Sequence, residues 1–217
     1  MYKGIKKYVV FLCVGMLLFH MTACGKNVNE NTQVGQTETQ QDSQNTSEVK
    51  VPIADATDIL TKVWQSFEAE DTDGNPYNDR FAIMGGHFDT AVMDMPAKYD
   101  LTQTTDLELI YCVPQTISLM LDDAATMVHL MVASTFTAGA YHVSDVANVR
   151  TAVDGMKQQI EGTHWRDGFP DSYLVATIDE QYVISAVGNA EVMEYFEAVL
   201  KDIYGKQFVI HVKQSVR

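Results

Sequence analysis

The sequence predicts an α+β fold: a two-layer sandwich with a ferredoxin-like β-α-β-β-α-β core and extra helices on its N-terminal side. Three observations lead there. Two segments repeat apolar residues at helical spacing, Val146, Val149, Val153, Met156 and Ile160 in one and Val192, Tyr195, Phe196, Val199, Leu200 and Ile203 in the other. Between them, the β-rich runs 173–178 and 182–187 flank Asp179-Glu180-Gln181, a hairpin by length and composition. A long apolar segment, 125–136, precedes the first helix, and Phe208, Ile210 and Val212 alternate after the second. The order is that of a split β-α-β sandwich, in which two helices with one apolar stripe each cover one sheet face.

The chain before this core divides into three parts. Lys3, Lys6 and Lys7 form a positive region ahead of the apolar run 8–19. That run is too short for a spanning helix, which needs about 20 residues, and suits the apolar part of an export signal. Met21-Thr22-Ala23-Cys24-Gly25 follows and resembles the lipobox of bacterial lipoproteins, with Met where Leu is usual. The resemblance implies a signal peptide over 1–23 and a diacylglycerol thioether on Cys24, with two acyl chains enough for stable anchoring. The alternatives are an ordinary signal cut after Ala23 or an uncleaved anchor. Residues 24–50 are then the lipidated cysteine and a tether rich in Asn, Gln, Thr, Ser and Glu, without the apolar content to offset its ordering entropy. As a flexible coil it reaches roughly 30 Å, which holds the domain away from the bilayer.

Residues 51–217 are expected to form a single α+β domain. Ile53, Ala56, Leu60, Val63, Trp64 and Phe67 mark a helix with Asp55 as N-cap and Asp58 three residues later. The turn-rich stretch Asp71 to Pro76 ends it, and a short strand over 80–84 meets Gly85-Gly86. Thr105-Asp106-Leu107-Glu108 reads as a capping box opening a short helix that Pro114 stops. Ser144 is the expected N-cap of the helix that ends near Gly162, and Gly205 the C-cap of the last one.

Composition narrows the function. The chain carries 29 acidic residues against 15 Lys and Arg, a formal charge of −14. Loss of the three signal lysines takes this to −17, and 51–217 alone hold 25 acids against 10 bases. Nucleic acid is excluded as a partner, because phosphate binding needs clustered Lys and Arg. Of the three cysteines, Cys13 leaves with the signal and Cys24 is consumed, so Cys112 is the remaining thiol and reads as a small core residue.

Catalytic motifs are missing from the sequence. There is no Gly-x-Ser-x-Gly elbow, no His-Glu-x-x-His and no phosphate-cradling loop. His87, His129, His142, His164 and His211 are widely separated, and His129, in an apolar strand, reads as a structural histidine. Asp71-x-Asp73-x-Asn75 begins like a calcium loop, but Pro76 and Ala82 stand where glycine and a bidentate glutamate are needed, so a solvated turn is the better reading. No catalytic residue, metal or cofactor is therefore assigned. The candidate binding patch is Trp165, Arg166, Phe169 and Tyr173, aromatics and an arginine of the kind that dominate recognition surfaces. The competing reading has Trp165 and Phe169-Pro170 plugging the open end of the sandwich.

One family resemblance runs through these features. Tyr99-Asp100-Leu101, the segment Thr105 to Tyr111, Pro114, the strand and long helix, Trp165-x-x-x-Phe169-Pro170-x-x-Tyr173 and the C-terminal hairpin and helix together resemble a family of Gram-positive surface lipoproteins catalogued as a domain of unknown function. The likeness covers roughly residues 95–204 and departs from the family pattern at Phe169, where Tyr is frequent. It implies a lipid-anchored domain on the outer face of the cell membrane and a shared fold, and it carries no activity. The functional expectation is a non-enzymatic binding or accessory domain, its partner an envelope protein or small ligand. An envelope hydrolase with dispersed catalytic residues is the alternative.

Overall fold

A central antiparallel sheet organises the molecule, in a computed structural model that describes residues 50–67, 82–165 and 168–216. The signal peptide, Cys24, the polar tract to residue 49, the acidic loop 71–79 and Arg166 lie outside the described residues. Helices α1 (Ala56–Phe67), α2 (Thr104–Tyr111), α3 (Gln115–Ser118), α4 (Val149–Gly162) and α5 (Ala190–Tyr204) surround it. The strands are β1 (Ile83–Gly85), β2 (Val92–Met93), β3 (Ala97–Lys98), β4 (Leu121–His129), β5 (Phe136–Val143), β6 (Ser172–Ile178), β7 (Tyr182–Gly188) and β8 (Phe208–Ser215). Their order is β2-β1-β4-β5-β7-β6-β8, with β3 also pairing β4.

The α+β class holds, while the ferredoxin-like two-layer core is corrected. The element order β5-α4-β6-β7-α5-β8 is present. In the expected core the last strand returns to the free side of the first, and both helices share one face. Here β4 pairs that side of β5 from Leu121 to Val128, so β8 instead lies beyond β6. The crossovers through α4 and α5 therefore move in the same direction from strands that run oppositely. Two crossovers of one hand can do so only with their helices on opposite faces. Burial agrees. Helices α1 and α5 enclose one core with Ala138, Ala140, Leu174 and Ile184, and α2, α3 and α4 enclose another with Tyr141, Val143, Tyr173 and Val183. The architecture is three layers, helices on both faces of one sheet.

The sequence reading of 125–136 as one long strand is also corrected. It contains the end of β4, a turn at 130–135 and the first residue of β5. His129 makes that turn, its Nδ1 accepting the Met131 and Val132 amides at 3.3 and 3.0 Å. Strand β5 escapes recognition because Ala138-Gly139-Ala140 has poor strand propensity. Those residues are small for packing reasons: a Cβ on Gly139 would meet the Tyr141 hydroxyl oxygen at 2.0 Å.

Caps follow the sequence at one helix and depart from it at others. Asp55 accepts the Asp58 amide at 2.7 Å, and Asp58 returns a bond to the Ala54 amide at 3.1 Å. Asp123 adds a cap from the sheet, taking the Ala56 amide at 2.7 Å. Ser144 instead donates to the Met120 carbonyl, and Asp145 caps the 3-10 turn that leads into α4. At α2 the expected capping box of Thr105 with Glu108 is not formed: the helix starts at Thr104, and no side chain bonds the backbone at its cap position, Gln103. Gly205 ends α5 with φ of 50°, as its position implied.

An aromatic chain locks α1 and α5 onto the sheet. Phe67 stacks on Trp64 at 5.4 Å and on Phe136 at 6.1 Å, and Phe136 meets Phe196 at 5.5 Å. Phe136 is fully buried at the start of the central strand. Phe136→Ala should cost about 3–5 kcal/mol, read as a lower urea midpoint with unchanged slope.

Candidate functional site

A groove of about 680 Å³ lies on the α2–α4 side. Its walls are α2, the end of α4 with the loop after it, and the turn at 133–135. Each wall is held by identifiable contacts. Helix α2 ends at Cys112, whose left-handed φ of 56° turns the chain toward Pro114. At the α4 end, Thr163 Oγ1 donates to the Gln159 carbonyl at 2.7 Å and lies 3.7 Å from Cys112 Sγ. The 133–135 turn is fixed by Thr137 Oγ1 donating to the Ala133 carbonyl at 2.8 Å.

The sequence-predicted patch separates within this region. Trp165 is half-buried, packs on the second core and lines the groove. Its indole nitrogen is shielded from solvent and has no hydrogen-bond partner, a costly state for a buried donor. Phe169 is exposed. Tyr173 is removed from the patch: it begins β6, is 1% exposed, and its hydroxyl sits 2.6 Å from Glu161 and 3.0 Å from Gln214. An inward position on the first residues of a central strand leaves it no surface to offer.

The groove lining is acidic and apolar. Asp106 and Glu108 contribute carboxylates, Leu109 and Ile110 apolar surface and His164 an exposed imidazole, and no lysine or arginine lines it among the described residues. Behind Asp106 stands His87, 9% exposed, with Nε2 3.0 Å from the carboxylate and Nδ1 accepting the Asp89 amide at 3.3 Å. Both ring nitrogens are thus engaged, so the pair orients α2 and presents no free base. The His87–Asp106 pair spans 19 residues and crosses from one loop to a helix, so no sequence motif marks it. The same is true of Asp122 with His142, which face each other across β4 and β5.

Beneath the groove lies a buried tyrosine cluster. Tyr99 and Tyr111 meet edge-on at 5.4 Å, and the Tyr111 hydroxyl donates to the Gly86 carbonyl at 3.2 Å. Burial pushes Tyr111 up to about 12 and the Cys112 thiol up to about 11. Burial likewise raises Tyr99 and Tyr141, and the Tyr141 hydroxyl has no partner. A thiol so buried and so reluctant to ionise is no nucleophile at neutral pH. Among the described residues no three His, Cys, Asp or Glu side chains converge as metal ligands, and no helix is long and apolar enough to cross a membrane.

The raised values fix an alkaline limit to stability. The folded state keeps protons that the unfolded chain releases near 9 for the thiol and 10 for the phenols. Stability from these groups is complete below those values and is lost progressively as pH rises from them through the raised folded values, about 11 for Cys112 and about 12 for Tyr111. The urea midpoint should hold between about pH 7 and 8.5 and fall by about pH 10.5. In the same series, Cys112 should resist a thiol reagent at pH 8 until the protein unfolds. Comparisons of the chain with family models, curated proteins and solved structures found no match.

Proposed function

We propose that the chain is a membrane-anchored lipoprotein on the outer face of a Gram-positive cell, its domain a non-enzymatic binding module. The α2–α4 groove is the ligand site. The observation that carries the reading is the lining of that groove, where Trp165 and the apolar Leu109 and Ile110 stand with Asp106 and Glu108. Such a lining suits a ligand with an apolar body and a positive group, which the carboxylates and the indole face attract together. The fixed His87 and the buried Cys112 offer neither a free base nor a thiolate, and His164 at the groove has no nucleophilic side chain bonded to it, which weighs against an envelope hydrolase.

Two measurements test the two halves of this proposal. Replacing Cys24 with Ala should move the protein from membranes to the medium, and unchanged partitioning into detergent would sink the lipid anchor. For the groove, a short peptide of alternating Leu and Lys should shift tryptophan emission at up to about 1 mM. The Trp165→Phe variant should lose that response with its melting temperature unchanged. A response that persists in the variant places binding elsewhere.

A further inference from the structure

The end of the sheet away from β8 is an apolar corner. Between β1 and β3 the chain makes a 3-10 turn, Phe88–Thr90, and the two-residue β2, beyond which no strand pairs among the described residues. Phe88 is 55% exposed, Met93 49% and Met95 45%. Apolar residues scattered over a surface are ordinary, but a cluster of large ones half open to water marks a contact surface.

This corner continues the α2–α4 groove. Met93 pairs Met84 across the ladder, so their side chains share a face, and Met84 belongs to the core beneath the groove. Ala91, between Phe88 and Met93, packs on that core, as do Ile110, Ala133 and Trp165, which line the groove. At the join stands Asp106. It lines the groove while its carboxylate meets His87, the residue that caps the Phe88–Thr90 turn.

Charge marks the same surface. Residues 82–149, which supply the corner, α2 and the 133–135 turn, hold eight acids and a single Lys or Arg, Lys98. Asp89 and Asp94 are exposed in the corner, and Asp106 and Glu108 line the groove. Lys98 lies 3.3 Å from Asp123 of β4, and on α4 Arg150 and Lys157 are held by Asp154 and Glu161. Each described lysine or arginine of these elements thus has its own carboxylate, and none neutralises the corner or the groove.

We propose that the groove and the corner form one docking surface for a basic, amphipathic helix of a partner protein. This rests on the groove reading given above and narrows its ligand to a protein segment that reaches beyond the groove. A groove walled by helices receives the apolar face of another helix. Leu109 and Trp165 meet that face at one end and Phe88 and Met93 at the other, where an unbranched methionine adapts to the side chains it finds. The flanking carboxylates select lysine and arginine on the helix. A second copy would set acid against acid, and an anionic bilayer would be repelled in the same way.

The test uses the full chain in non-ionic detergent, with methyl-labelled methionine. The probe is a synthetic peptide of about 18 residues, roughly 27 Å as a helix, with Leu on one face and Lys elsewhere. Its loss to empty micelles is measured and subtracted. Over one concentration range below about 1 mM it should shift the Met93 and Met95 methyl signals together with the tryptophan emission that Trp165→Phe removes. Phe88→Ser should weaken binding about tenfold at an unchanged melting temperature, and the near-isosteric Met93→Gln several-fold. High salt should weaken the Lys peptide, and a version with Glu for Lys should not bind. If Trp165 responds while the methyl signals and both variants do not, the groove reading stands and the continuous surface falls. If the methyl signals respond without Trp165, the two surfaces are separate and the proposal falls. Equal binding of the Glu peptide also overturns it, and silence of both reporters at about 1 mM overturns the groove reading with it.

Discussion

The pairing of β4 with β5 is the constraint from which the rest of the architecture follows. With that side of β5 taken, the last strand has to close the sheet beyond β6, and α5 has to cross on the face opposite α4. Two cores result instead of one. Strand β5 must then be buried on both faces, and its inward residues alternate between the α1–α5 core and the tyrosine-rich core. That explains why small residues occupy its middle. Gly139 leaves space for Tyr141 to lie back along its own strand, and Ala138 and Ala140 let helices approach from the other side.

How much of this was legible in the sequence depended on the range of the interaction involved. Helical stripes were readable because burial repeats every three to four residues, and α1, α4 and α5 fall where that period puts them. The β6–β7 hairpin was readable for a similar local reason, its register running from Ser172 with Gly188 to Ile178 with Tyr182. What failed was long-range. A small-residue strand such as β5 carries no local signature, since Ala138 and Ala140 answer to helices distant in sequence. The face of α5 was equally hidden, because it was settled by a strand, β4, whose partner had not been recognised.

The site shows the same division. The segment after α4 is unusual in composition, yet composition does not tell Trp165, which lines the groove, from Tyr173, which is core. Position within a strand decides that difference, and the strand begins at Ser172. Thr105-Asp106-Leu107-Glu108 reads as a capping box between Thr105 and Glu108, a reading in which Asp106 has no partner beyond the helix start. In the fold Asp106 belongs to His87, and that pairing ties α2 to the loop after β1. A polar side chain near a helix start can serve the backbone or a tertiary partner, and the sequence alone does not rank the two.

Net charge, finally, is a poor guide to where an acidic protein makes its contacts. A value of −14 describes the far field and argues soundly against phosphate backbones. Recognition occurs within a Debye length, about 8–10 Å at moderate salt, where the local arrangement outweighs the sum. On that scale the molecule has two characters. Its α2–α4 groove joins carboxylates to apolar surface, whereas beside β8 the lysines Lys201 and Lys213 meet on the buried Glu197. The sign of the whole chain therefore does not decide the charge met at any one of its surfaces.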